Sequence, residues 1–145
     1  MNNYGKRTFL KAALGGVVSL ATAALWASSV AAGKAFAVVK SDAEWRKILS
    51  PLAYRVLRKE FTEPPFSSPL NDEKRKGNIV CAGCGQKLFN ALTKYESGTG
   101  WPSFWHPIRG AIGTKADYGL HLPRTEVHCS RCGGHIGHVF DDGPK

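Results

Sequence analysis

Two pairs of cysteines, Cys81-Ala82-Gly83-Cys84 and Cys129-Ser130-Arg131-Cys132, are the residues whose type and spacing speak most clearly of chemistry. They use all 4 cysteines of the chain, and 44 residues separate one pair from the other. Four thiolates carried on two tight turns suit tetrahedral zinc in a closed, structural site. Gly83, Gly85, Gly133 and Gly134 beside them allow the backbone to turn two sulfurs toward one ion. The competing chemistry is a pair of disulfides, which an oxidising compartment would permit. A bridge inside a single C-x-x-C is usually a reactive redox bond and staples little chain, which favours the metal.

Directly after the second pair comes His135-Ile136-Gly137-His138-Val139-Phe140-Asp141-Asp142-Gly143-Pro144. Imidazoles beside a carboxylate supply proton donors that work around neutral pH. The same histidines could complete a metal site with two of the cysteines, which would strand a thiolate, or could be surface or core residues without a task. A third cluster, Ser97-Gly98-Thr99-Gly100-Trp101-Pro102-Ser103-Phe104-Trp105, sets flexible glycines ahead of a Trp that a proline follows. A chain needs this to hold one aromatic face at a pocket, and a buried core Trp on a tight turn has the same pattern.

These clusters must be positioned by short elements. Ser41-Asp42-Ala43-Glu44 has the form of a capping box and predicts a short helix through Trp45, Ile48 and Leu49. Ser50-Pro51 places a cap and a first-turn proline ahead of Leu52, Val56 and Leu57, predicting a second. Glu63-Pro64-Pro65-Phe66-Ser67-Ser68-Pro69 cannot continue a helix. Residues 79–145 then hold 11 of the 16 glycines and short strand-like runs, which indicates a compact β-rich module.

The chain has 145 residues, 43% of them hydrophobic, which excludes a multidomain protein and a disordered tail. Its net charge is +9, but Lys6, Arg7, Lys11 and Lys34 supply four of those charges, and the remaining basic residues are scattered. Residues 1–37 are expected to be an export signal: Lys6-Arg7-Thr8-Phe9-Leu10-Lys11 precedes an uncharged run of 22 residues, and Ala35-Phe36-Ala37 offers a cleavage site. The basic string resembles a twin-arginine signal with Lys6 in the first arginine position. The expected location is therefore outside the cytoplasm, in a periplasm. A route that carries folded proteins would let zinc load in a reducing cytosol beforehand. The alternative is an uncleaved membrane anchor, since 22 uncharged residues are long enough to span a bilayer.

Taken in order, C-A-G-C-G at Cys81, S-G-T-G-W-P-S-F around Trp101, R-T-E-V from Arg124, C-S-R-C-G at Cys129 and H-I-G-H-V-F-D-D-G-P from His135 resemble the methionine-R-sulfoxide reductases; Thr62-Glu63-Pro64-Pro65-Phe66 fits as well. The similarity runs from about Ala43 to the last residue. It implies a mainly β fold of two antiparallel sheets with small N-terminal helices in a domain over 38–145. It also implies structural zinc on Cys81, Cys84, Cys129 and Cys132, remote from the chemistry, and reduction of the R epimer of methionine sulfoxide in peptides or proteins. The resemblance gives roles to residues present here. Trp101 would pack on the substrate's S-methyl group and Phe140 would line the apolar wall. His138 and His135 would hold and protonate the sulfoxide oxygen, and Asp142 would orient or tune them.

The family's nucleophilic cysteine lies in an R-Y-C-x-N type segment downstream of the histidine motif, so it is expected beyond Lys145, together with a last strand that is missing here. Residues 1–145 alone are then expected to be inactive, because the reaction needs a thiolate to attack sulfur. Thr99 stands where some members carry a resolving cysteine, which implies a thioredoxin-like reductant as partner. The expected state is a monomer. Two other readings stand beside this one: an inactive zinc-binding fragment that binds oxidised methionine without turnover, and a nucleic-acid-binding zinc ribbon. The second is disfavoured, and no nucleic-acid partner is expected, because the aromatics are not interleaved with the basic residues.

Overall fold

Ser41 and Ser50 start two helices by the same device. In the computed structural model, which describes residues 35–120 and 122–144, the Ser41 hydroxyl accepts from the Glu44 N–H at 3.3 Å while the Glu44 carboxylate accepts from the Ser41 N–H at 2.8 Å. This closes the capping box of α1 (Asp42–Ile48). The Ser50 hydroxyl accepts from the Ala53 N–H at 3.2 Å, and Pro51 opens α2 (Pro51–Lys59) where its missing N–H costs nothing. Trp45 and Tyr54 are the buried residues of the two helices, and the Tyr54 hydroxyl donates to Asp42, tying α2 to α1. Glu60 ends α2 in the left-handed region, φ 53°.

Among the described residues seven short strands follow: β1 (Asn78–Val80), β2 (Lys87–Asn90), β3 (Lys94–Tyr95), β4 (Ser103–Phe104), β5 (Ile112–Asp117), β6 (Arg124–Cys129) and β7 (His135–His138). All pairings are antiparallel. The mainly β architecture with small N-terminal helices is as expected, but the ladders form three sheets rather than two: β1-β2, β3-β4 and β5-β6-β7. A turn of 3-10 helix, Ala91–Thr93, lifts the chain out of line between β2 and β3. Pro107, which bridges Phe89, has no N–H with which to extend that ladder.

The core is small and built around sulfur. Trp45, Leu49, Tyr54, Leu88, Phe89 and Ala111 bury against Cys81, Cys129 and Cys132. Phe89 and Phe104 stack with ring centroids 4.4 Å apart. Leu57 of α2 lies over both cysteine turns, where a Cβ on Gly83 would come within 3.5 Å of it and one on Gly134 within 2.7 Å. Packing reaches back to Phe36, whose ring stands edge-on to His128 at 5.7 Å and covers Gly133, while the Val38 N–H donates to the Arg131 carbonyl at 2.9 Å. The export signal or anchor expected over 1–37 lies, up to residue 34, outside the described residues. Among the described residues no helix is long and apolar enough to cross a membrane.

Candidate active site and metal centre

Each cysteine pair sits on a turn closed in the same way. The Gly85 N–H donates to the Cys81 carbonyl and the Gly133 N–H to the Cys129 carbonyl, both at 2.8 Å, with φ of +72° and +68° that only glycine adopts without strain. Gly83 and Gly134 have ordinary backbone; they are glycine because Trp45 and Leu57 press on them. The two turns face each other so that Cys81 Sγ lies 3.7 Å from Cys132 Sγ and Cys84 Sγ 3.6 Å from Cys129 Sγ. All four sulfurs fall within 4.8 Å of one another, and all four are free thiols. A disulfide needs sulfurs about 2.05 Å apart. A zinc tetrahedron with bonds of about 2.3 Å has edges of about 3.8 Å, which the two cross-turn separations match. The donor set therefore fits zinc in a closed site. Cys132 and the backbone N–H groups of Gly83 and Cys84 also favour the Cys81 thiolate, bringing it down to about 5. Neither His135 nor His138 joins this set.

The histidines instead meet carboxylates on the three-stranded sheet. Across β5 and β6, Lys115 stands opposite Glu126 and Asp117 opposite Arg124; across β6 and β7, Glu126 stands opposite His138. Strict alternation would put His135 and His138 on opposite faces of β7, being three residues apart. A bulge prevents this. Between the pairs Val127 with Gly137 and His128 with His135, β7 advances two residues while β6 advances one, leaving Ile136 unpaired. The two rings thus share a face, with centroids 5.4 Å apart.

Each ring has its own carboxylate. His138 Nε2 lies 2.7 Å from Asp117 Oδ2, which also accepts from Arg124 Nη2 at 2.6 Å, while Asp117 Oδ1 accepts from the Gly119 N–H at 2.8 Å. That N–H, then His138 and Arg124, hold the Asp117 carboxyl well below the usual range. His135 Nδ1 lies 2.9 Å from Glu126 Oε1, and Lys115 Nζ lies 2.7 Å from Glu126 Oε2 and 2.8 Å from Glu60 Oε1. Glu126 and His135 are 3% and 5% exposed. Burial pushes the His135 imidazole down, toward its neutral form. Both rings line a cavity of about 270 Å³ walled on its other side by Lys59, Glu60 and Thr62. Of its charged lining residues, Glu60 and Glu126 are both bound by Lys115, Asp117 is bound by Arg124, and Lys59 lies 3.2 Å from Asp42 Oδ1.

Trp101 borders this region without lining the cavity. Its Nε1–H donates to the Glu63 carbonyl at 2.8 Å, one residue beyond Thr62, and it is 38% exposed, so the indole is fixed by one edge and partly open to solvent. The loop before it is clamped: the Phe66 N–H donates to the Gly100 carbonyl at 2.7 Å, and a Cβ on Gly100 would come within 2.9 Å of Phe66. Phe140 and Asp142 are exposed beyond the end of β7.

A family model described as the SelR domain matches residues 49–145. The chain belongs to the SelR-domain family. This SelR-domain chain is 50% identical over 111 residues to the peptide methionine sulfoxide reductase MsrB of Leptospira interrogans, covering 76% of this chain and 85% of that one. It is 54% identical over 109 residues to the protein of the same name from Methanosarcina barkeri, covering 74% and 77%. With that of Bradyrhizobium diazoefficiens the identity is 48% over 108 residues, covering 74% and 78%. Within the SelR domain, the cysteines, the two histidines and Trp101 stood out by type and spacing. Asp117, Lys115 and Glu60 did not, and Arg124 and Glu126 figured only as part of a motif. An alternating charge pattern, Lys115-x-Asp117 and Arg124-x-Glu126, marks one face of each strand, but the partner of each charge depends on register.

Proposed function

We propose that this protein reduces the R epimer of methionine sulfoxide in peptides and proteins to methionine, using thiols as the source of electrons. The observation that carries the reading is the pair of imidazoles brought to one cavity by the bulge in β7, each held by its own carboxylate. A sulfoxide is an uncharged dipole with a strongly accepting oxygen. Around the cavity the carboxylates of Glu60, Glu126 and Asp117 are each engaged by Lys115 or Arg124, which suits a neutral ligand better than an ion. The ring nitrogens that face away from the carboxylates become donors for the oxygen when the rings are protonated. The exposed part of Trp101 gives the S-methyl group a favourable sulfur–aromatic contact, and the carboxylates that tune the histidines are Asp117 and Glu126 rather than the expected Asp142.

A thiolate attacks the sulfoxide sulfur while its oxygen takes a proton from an imidazole; the hydroxyl then passes to the attacking sulfur as the new S–S bond and the old S–O bond break, and the balance is methionine plus a sulfenic acid on the attacking thiol. A second thiol then forms a disulfide and releases water, and a thioredoxin-like dithiol reduces that disulfide. All four cysteines of residues 1–145 belong to the metal set, so none of them is free to serve as the attacking thiolate. Zinc on Cys81, Cys84, Cys129 and Cys132 supplies a cross-link between the two turns and, being a closed site, has no position for substrate. The Lys6-Arg7 string and the uncharged run behind it support export to the periplasm, and the protein acts there as a monomer.

Calorimetry with residues 1–145 and the two epimers of N-acetyl-methionine sulfoxide amide tests the reading. The R epimer is expected to bind at least about tenfold more tightly than the S epimer, a difference of roughly 1.4 kcal/mol. No methionine should form with dithiothreitol as the only thiol. Equal affinity for both epimers, or affinity for neither, would sink the proposal.

A further inference from the structure

We infer that Asp117 and Glu126 are positioning residues that hold the two imidazoles in opposite tautomers, so that His138 presents Nδ1 and His135 presents Nε2 to the cavity. The inference rests on the function proposed above for what the nitrogens do, and on geometry alone for which nitrogens they are. Asp117 cannot turn away from His138. Its Oδ1 is occupied by the Gly119 N–H at 2.8 Å, and its Oδ2 is shared between Arg124 at 2.6 Å and His138 Nε2 at 2.7 Å. Arg124 has no proton to lose and no acceptor to offer, so the carboxylate receives hydrogen bonds and gives none. His138 must then carry its proton on Nε2.

Glu126 acts on the other ring in the mirror sense. It is 3% exposed, its Oε2 is met by the Lys115 ammonium at 2.7 Å, and its Oε1 meets His135 Nδ1 at 2.9 Å. A buried carboxylate compensated by one ammonium again accepts, so His135 carries its proton on Nδ1, the less common tautomer of free neutral histidine. Lys115 is itself anchored from outside by Glu60, which closes the end of α2 with φ 53°. Two of these contacts lie on cross-strand pairs, Lys115 with Glu126 and Asp117 with Arg124, while the carboxylate–imidazole contacts run across the register, His138 of β7 reaching Asp117 of β5 and His135 reaching Glu126. In these tautomers His138 Nδ1 and His135 Nε2 are the nitrogens that take up a proton, and with ring centroids 5.4 Å apart each becomes a donor to the same oxygen atom once its ring is an imidazolium.

Long-range proton–nitrogen correlation spectra of the zinc-loaded chain read the tautomers directly and without ligand. The expected result is an Nδ1–H ring for His135 and an Nε2–H ring for His138. Asp117→Asn should leave His135 unchanged, move His138 toward a mixture, and weaken binding of the R-sulfoxide about tenfold, the equivalent of one charge-assisted hydrogen bond. Asp117→Glu should restore part of the binding. Either wild-type ring in the other tautomer overturns the inference, with no variant needed, and so do unmoved His138 signals in a folded Asp117→Asn protein. Both tautomers as assigned with no sulfoxide binding would support the positioning role and overturn the reading of function instead.

Discussion

Trp101 and His138 are held in place by different contacts: the indole N–H is tied to the Glu63 carbonyl, and the imidazole Nε2 meets Asp117. Trp101→Ala and His138→Ala should each weaken R-sulfoxide binding by about 1–2 kcal/mol, the size of one sulfur–aromatic contact or one hydrogen bond. Unchanged affinity by calorimetry in both would remove these residues from the pocket. Asp117 makes a separate prediction about acid. Its folded carboxyl titrates below the usual range because the Gly119 N–H, His138 and Arg124 all favour the charged form. A group with a depressed value contributes stability above its unfolded value, near pH 4, and that contribution is lost as pH falls from there toward the lower folded value. Asp117→Asn should therefore flatten the low-pH decline of the melting temperature. An identical decline in the variant would mean that other carboxylates carry it. The capping serines and the glycines of the cysteine turns were legible in the sequence because their partners lie within a few residues. The Asp117 pairing with His138 spans 21 residues and was not.

At the scale of elements, the bulge at Ile136 decides the site, since without that unpaired residue the two histidines would face opposite ways. The chain ahead of α1 also belongs to the domain. Phe36 is 40% exposed, covers Gly133 and stands edge-on to His128, so it closes the second cysteine turn from outside. Phe36→Ala should cost about 1–2 kcal/mol, given a half-buried aromatic. That loss should lower the melting temperature by about 4 to 16 °C, at about 4–8 °C per kcal/mol for a domain near 100 residues. A melt unchanged by Phe36→Ala would show that the contact contributes nothing in solution. A sequence reading that looks for small residues at a cleavage site sees Ala35-Phe36-Ala37 and has no means of seeing what the Phe rests on.

For the molecule as a whole, the metal set and the core are the same object. Cys81, Cys129 and Cys132 are buried among Trp45, Leu49, Leu88 and Phe89, and α2 lies across both turns through Leu57. Zinc held by four thiolates contributes about 10–16 kcal/mol in small domains, as much as the total stability of about 5–15 kcal/mol of an ordinary protein. Cys84→Ser should therefore release one zinc per chain and abolish the cooperative melt; a metal-free variant melting like the wild type would refute it. The sequence by itself determined the ligands, the two helix starts, the mainly β class and the family, because each rests on residue type and short spacing along the chain. The tertiary structure alone decided that Cys81 faces Cys132 and Cys84 faces Cys129, that the strands form three sheets, and that Asp117 and Glu126 hold the histidines. Those choices depend on strand register and on one bulge, which are set by which faces can be buried together and not by neighbours in sequence.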